Sequence, residues 1–304
     1  MNHWGGVLGA PVTPFDAEGG IDTALFERNV EFLLAQGVDG ITVPLHTGES
    51  PSLSVAERKR LAAAAVEVAG DRVPVLVHAS MPGTTAVIDL ARHAETVGAS
   101  AVISVTPYHW RPPHNALAAH YRALCGAVGI DVFAYNFPSR LGVAITPELV
   151  EELVDACGNF VGVKDASYDM QSFTECVRRG CARRPAFAML PGVEYLVPAM
   201  AIGGAGCFSP SSAIAPRLVR RLYAACVGGD WEVARACQFR MSGLWHLLRE
   251  TGYPASVKAA MAILGRPTGG VRLPLLDLDG DQRTRLRVGL ESLGILDEEP
   301  VGWN

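Results

Sequence analysis

The sequence predicts a (β/α)8 barrel followed by a C-terminal helical appendix. Short, continuous apolar runs alternate with longer amphipathic runs, and eight such pairs are counted up to about residue 228. Continuous apolar runs are what parallel strands buried on both faces look like. Eight strand–helix units close a barrel, which fits one domain of about 200–250 residues. A doubly wound open sheet is the structural rival, but no G-x-G-x-x-G follows the first strand.

The first strand lies in "GVLGAPVTPF" and is followed by "DTALFERNVEFLLAQG", where Phe26, Val30, Leu33 and Leu34 share one helical stripe. "GITVPL" precedes "SVAERKRLAAAAVEVAG", "VPVLVHAS" precedes "TTAVIDLARHAETVG", and "AVISVTP" precedes "NALAAHYRALCGAVG". "IDVFAYNFP" leads to "TPELVEELVDACG" and "FVGVKDAS" to "DMQSFTECVRRGCARR". The last two units are "AFAMLPG" with "VEYLVPAMAIG", and "GAGCFSPS" with "AIAPRLVRRLYAACVGG". Ser, Thr or Asp tends to open the helical runs, and Gly37, Gly98 and Gly129 close three of them. The expected division is therefore a catalytic barrel over 1–228 and a helical domain over 229–304. Three further helices are expected there, in "DWEVARACQFRMSGLWHLLRETG", "PASVKAAMAILG" and "DGDQRTRLRVGLESLG".

Composition bounds the function. The net charge of −5 and the absence of a Lys/Arg-rich run argue against a nucleic-acid or anionic-membrane partner. No basic segment followed by a long apolar one opens the chain, and the greasiest stretch, "PGVEYLVPAMAIGGAGCF", is too short and glycine-broken to span a bilayer. Seven scattered cysteines without a C-x-x-C pair suggest reduced, buried thiols in a cytoplasmic protein, without a zinc site.

In a (β/α)8 barrel the chemistry sits at the C-terminal ends of the strands. Those ends carry His46, Thr47, Gly48 and Glu49; His78; Tyr108 and His109; Tyr135; Lys164 and Asp165; and Phe208. Lys164 stands out because only three of the 26 basic residues are lysines, the others being Lys59 and Lys258. Arginine stays protonated, whereas a desolvated lysine can become a neutral nucleophile and form an imine with a ketone. A solvated strand-end lysine, or one paired with Asp165, is the competing reading. Lys258, in an alanine-rich helix, is expected to be solvated or ion-paired, and Lys59 to lie on an exposed face. Tyr135, one strand from Lys164, offers a hydroxyl for proton relay. Arg140 offers a planar fork for a carboxylate. Thr47 and Gly48 sit in a turn whose amides suit a carboxylate. Each of these, taken singly, is matched by a plain structural role. His109, His114 and His120 lack the carboxylate company of a metal site, so no metal is expected there; no cofactor is expected either.

In order along the chain stand "GVLGAPVTPFDAEGGID", "TGES", "VTPY", "YNFPSR.G", "VGVKDAS", "PGVEYLVPAMAIGGAGCFS" and "YPASVKAAMAILG". Together they resemble the dihydrodipicolinate synthase / N-acetylneuraminate lyase family of class I pyruvate-dependent aldolases and dehydratases, over nearly the whole chain. The resemblance implies a homo-oligomer, usually a tetramer of paired dimers, acting on pyruvate or a longer 2-keto acid and in some members an aldehyde. It makes Lys164 the imine-forming residue and Tyr135 the proton relay. Thr47, Gly48 and neighbouring amides become the carboxylate holder, Arg140 the site of a second carboxylate, and the Phe208 carbonyl a neighbour of Lys164. Two departures stand out. His46 replaces the first of two hydroxyl residues before "GE", and His109 replaces the second tyrosine of "TPYY". An imidazole can itself move protons, so His46 is an acid/base candidate on the substrate's distal oxygen or else a pocket-shaping residue. His109 is weighed toward substrate shaping or a dimer contact. Aldol or retro-aldol chemistry is the leading expectation. A keto-deoxy-sugar-acid dehydratase, the synthase proper, and a non-catalytic keto-acid-binding member are the alternatives.

Overall fold

The computed structural model describes residues 4–303. Eight strands form one parallel sheet: β1 (Gly6–Gly9), β2 (Gly40–Val43), β3 (Val75–His78), β4 (Ala101–Val105), β5 (Asp131–Asn136), β6 (Phe160–Asp165), β7 (Ala188–Leu190) and β8 (Gly206–Ser209). The order along the sheet is β7-β6-β5-β4-β3-β2-β1-β8. A parallel bridge between Gly192 and Phe208 joins the end of β7 to β8, and the Phe208 amide donates to Pro191 O at 2.9 Å. This is a (β/α)8 barrel, with the strands buried along almost their whole length as their unbroken apolar runs require.

The connecting helices are α1 (Thr23–Ala35), α2 (Val55–Ala69), α3 (Thr84–Thr96), α4 (His114–Ala127), the short α5 (Pro138–Leu141), α6 (Pro147–Ala156), α7 (Met170–Arg183), α8 (Leu196–Ala201) and α9 (Pro216–Gly228). Their starts are written in the sequence. Asp22, Thr146 and Asp169 accept from backbone amides of the first turns, and Ser54 with Glu57 forms a reciprocal capping box. The C-terminal segment adds α10 (Trp231–Gly252), α11 (Ala255–Ile263), α12 (Gly280–Ser292) and α13 (Ile295–Glu298). Four helices thus stand where three were expected. Gly294, at φ 69°, turns the chain after α12 and lets "ILDE" wind a separate turn.

Contacts divide the chain into two compact units, 4–6 with 74–208, and 7–73 with 209–303. In the first, Trp4 donates to Asp131 at 2.6 Å and sets its edge on Phe133, while Tyr121 donates to Ser104 O at 2.9 Å. A cluster of solvent-facing ion pairs joins α6 and α7 through Arg179 and Arg183, where water screens each contact. In the second, Arg266 is fully buried and caps the carbonyls of Ala213, Ile214 and Pro300, its guanidinium 4.4 Å over the Phe32 ring. Glu299 accepts from the amides of Arg217 and Leu218 at the start of α9, where the helix dipole favours an anion.

Gly162, in the middle of β6, has no room for a side chain. A Cβ there would lie inside the van der Waals radii of the Phe133 ring and of the Ala188 carbonyl. Gly162→Ala is expected to destabilise the protein by about 3 kcal/mol through overpacking. Chemical denaturation of the two proteins checks it; a midpoint within error of wild type would contradict the packing argument.

Candidate active site

Strands β5 and β6 pair in a register that sets Tyr135 directly opposite Lys164. The Lys164 amine sits 3.7 Å from the centroid of the Tyr135 ring and 5.1 Å from that of Phe208. Tyr135 in turn stacks on Phe137 at 5.6 Å, and the His78 ring meets its edge at 6.3 Å. Lys164 is buried, and the loss of solvation lowers its amine to about 7; the negative charge of Glu194 partly opposes this. The ring faces on Tyr135 and Phe208 favour an ammonium by about 2 kcal/mol or less, so desolvation decides the balance.

The next residue along β6 faces the other way, as strand geometry dictates. Asp165 accepts from Tyr195 at 2.7 Å, from Asn136 at 2.7 Å and from Ser167 at 2.9 Å. Burial raises the Asp165 carboxyl and these donors pull it back, so its charge is committed to the frame behind the strand. The reading of Lys164 as the ion-pair partner of Asp165 is therefore set aside. Burial and Asp165 together push the Tyr195 hydroxyl upward, which keeps it a donor.

In the other unit, residues 44–50 form a tight turn. Glu49 takes a left-handed conformation at φ 55°, its amide donates to His46 O at 3.0 Å, and the Ser50 amide donates to Leu45 O at 3.2 Å. The Thr13 hydroxyl donates to Gly48 O at 2.6 Å. A side chain at Gly48 would crowd that hydroxyl and Pro11 O, so only glycine leaves the turn undisturbed. The Thr47 and Gly48 amides donate to no other described residue, which leaves two adjacent N–H groups for an anion. The Thr47 hydroxyl lies 2.5 Å from the Tyr253 hydroxyl.

The structure thus groups Lys164, Tyr135 and Phe208 in one unit, and Thr47 with Gly48 in the other. His46 is half-buried on the same turn as Thr47. His109 is exposed at φ 79°, its ring edge-on to Trp110. Arg140 is exposed on α5. Lys258 is buried and paired with Glu49 at 2.7 Å, whereas Lys59, expected on an exposed face, is half-buried on α2 beside the buried Arg58. His114 pairs with Glu152, and the buried His120 bonds Thr84 and is lowered to about 4 by burial. No group of three or more His, Cys, Asp and Glu able to hold a metal occurs among the described residues.

Sequence reasoning missed two residues, one beside each group. Glu194, two residues after Gly192 in "PGVEY", places a charge that acts on Lys164 and accepts from Tyr168 at 2.8 Å. Tyr253, in "YPASVK", reaches Thr47 across 206 positions of sequence. A carboxylate in the turn that follows β7 was a usable signal for Glu194; nothing local announces Tyr253.

The model of the dihydrodipicolinate synthetase family matches residues 3–293. The chain belongs to that family. It is 38% identical over 292 residues to a 4-hydroxy-tetrahydrodipicolinate synthase of Acidiphilium cryptum, covering 96% of this chain and 99% of that one. Among solved structures, the dihydrodipicolinate synthase of Thermotoga maritima superposes with a TM-score of 0.92 at 31% identity, covering 97% of this chain and all of that one. A prophage protein of the same family from E. coli K12, solved in complex with pyruvate, gives a TM-score of 0.92 at 27% identity, covering 96% of this chain and 99% of that one. Family members are lyases of the class I aldolase type, and this chain is such an enzyme. No helix among the described residues is long and apolar enough to cross a membrane.

Proposed function

We propose that Lys164 forms an imine with the ketone of pyruvate or a longer 2-keto acid, and that the enzyme makes or breaks a C–C bond at the adjacent carbon. The observation that carries this reading is a buried amine, lowered to about 7, lying over the Tyr135 ring. The neutral amine attacks the ketone carbon to give a carbinolamine, which loses water to give a protonated imine. That cation withdraws electrons from the next carbon, which loses a proton and adds to an aldehyde, or in reverse releases one. Water then hydrolyses the imine and returns the free lysine. Tyr135 relays the protons that enter and leave the carbinolamine oxygen. The Thr47 hydroxyl and the Thr47 and Gly48 amides take the keto acid's carboxylate. His46 serves the distal oxygen as acid and base, the Phe208 carbonyl borders the imine, and Arg140 receives an anionic group on the partner aldehyde. His109, with the exposed Trp110 beside it, lies on a surface suited to a second copy of the chain, and a homo-oligomer is part of the reading. The seven unpaired cysteines suit the cytoplasm.

The names of the relatives favour a second reading, the dihydrodipicolinate synthase reaction proper, in which Arg140 would meet an acceptor carboxylate. Turnover across 2-keto acids, with neutral and anionic aldehydes and with none, separates synthase, aldolase and dehydratase.

Borohydride reduction in the presence of pyruvate tests the imine directly. Mass spectrometry is expected to find the adduct on Lys164 alone. The initial trapping rate at low pyruvate should rise about tenfold per pH unit below 7 and level off above it, because only the neutral amine attacks. An inflection near the ordinary lysine value, or no adduct beside a reacting control aldolase, would refute the reading.

A further inference from the structure

We infer that Lys258 and Tyr253, from the C-terminal helical segment, are positioning residues for the 46–50 turn, gripping it from behind so that its amides stay set for a carboxylate. The inference deepens the proposed function and rests on its assignment of Thr47 and Gly48. All the residues concerned lie within the unit 7–73 with 209–303.

Glu49 is 1% exposed and Lys258 4% exposed, and their charges meet at 2.7 Å. Each partner is held by further bonds. The Lys258 amine donates to Gly270 O at 2.6 Å and lies 4.2 Å from the Phe15 ring centroid, while the second Glu49 oxygen accepts the Arg272 amide at 2.9 Å. Removing one partner of a buried pair leaves an uncompensated charge, so the turn cannot shift away from Lys258 without a large loss. The left-handed backbone at Glu49, disfavoured for a residue with a side chain, needs such an anchor to persist.

The second grip acts on Thr47 itself. Tyr253 sets its ring on Trp245 and its hydroxyl 2.5 Å from the Thr47 hydroxyl. A phenol is the stronger donor of the two. With Tyr253 donating, the Thr47 proton is left free to point at a substrate oxygen, and its rotation is limited. Tyr253 stands just before α11 and Lys258 one turn into it, so one helix and its lead-in carry both contacts.

Two variants test the proposal. Tyr253→Phe deletes one oxygen, and the double variant Glu49→Gln/Lys258→Met removes both charges without stranding either. Arg240→Ala, in α10 and bonded to Leu293 and Glu298, is the stability control. Borohydride trapping on Lys164 is measured against pyruvate concentration, with melting temperature alongside. In Tyr253→Phe and the double variant, the half-saturating pyruvate concentration is expected to rise about 10- to 100-fold with the maximal adduct unchanged, because misplaced positioning groups weaken binding on this scale. Arg240→Ala should leave half-saturation unchanged. Unchanged half-saturation in Tyr253→Phe overturns the inference for that grip, and in the folded double variant for the ion pair. Should the double variant fail to fold, Tyr253→Phe alone decides whether the turn is held from behind. Failure of the wild type to trap pyruvate would instead refute the proposed function.

Discussion

Replacing Lys164 by methionine is expected to abolish the pyruvate adduct and turnover while making the protein more stable. Methionine keeps the length of the stem and its contact with the Tyr135 and Phe208 rings, but brings no charge into the buried site. The sign follows from proton linkage. The unfolded lysine titrates near 10.5 and the folded one near 7, so between these values the unfolded chain binds more protons. Wild-type stability therefore rises with pH across that window, and the full cost of burying the amine is present below about 7. The methionine variant escapes that cost. Its advantage is expected to be a few kcal/mol at pH 6, on the order of several degrees in melting temperature, shrinking as the pH approaches 10. Thermal melts of both proteins over pH 6 to 10 check this. A variant no more stable than wild type at pH 6 would show that the amine is solvated, and the case for a nucleophile at neutral pH would go with it.

Tyr135→Phe is expected to lower kcat by about 100- to 1,000-fold, the scale of losing a positioned proton donor and acceptor. The ring, its stack on Phe137 and its place beneath the Lys164 amine all survive the change. Stability and the inflection of the trapping profile should therefore stay close to wild type. Stopped-flow measurement of imine formation locates the loss in the carbinolamine step, where a proton must reach the departing oxygen. A drop of less than threefold would reduce Tyr135 to an aromatic packing under the lysine.

The parts legible in sequence and the parts that were not differ in range. The eight strand–helix units could be counted because each leaves a local mark: an unbroken apolar run, then a helical stripe opened by a cap such as Asp22 or Ser54. Lys164 was legible for a related reason, as a charged residue ending an apolar strand in a chain with so few lysines. The separate turn α13 was not legible, since four residues carry too little periodicity and only the backbone at Gly294 sets them off. The partners Tyr253 and Lys258 were not legible either, because a side chain that meets another some two hundred positions away leaves no spacing rule behind.

The order of strands and helices and the placing of a lysine at a strand end were determined by the sequence alone, since both follow from patterns a few residues long. Only the tertiary structure decided that this lysine is stripped of water and titrates near neutrality. It also decided that Asp165 is engaged elsewhere and that the 46–50 turn is held from the C-terminal helices. Solvation and charge pairing depend on which distant segments exclude water from a given atom, and that is fixed when the elements pack.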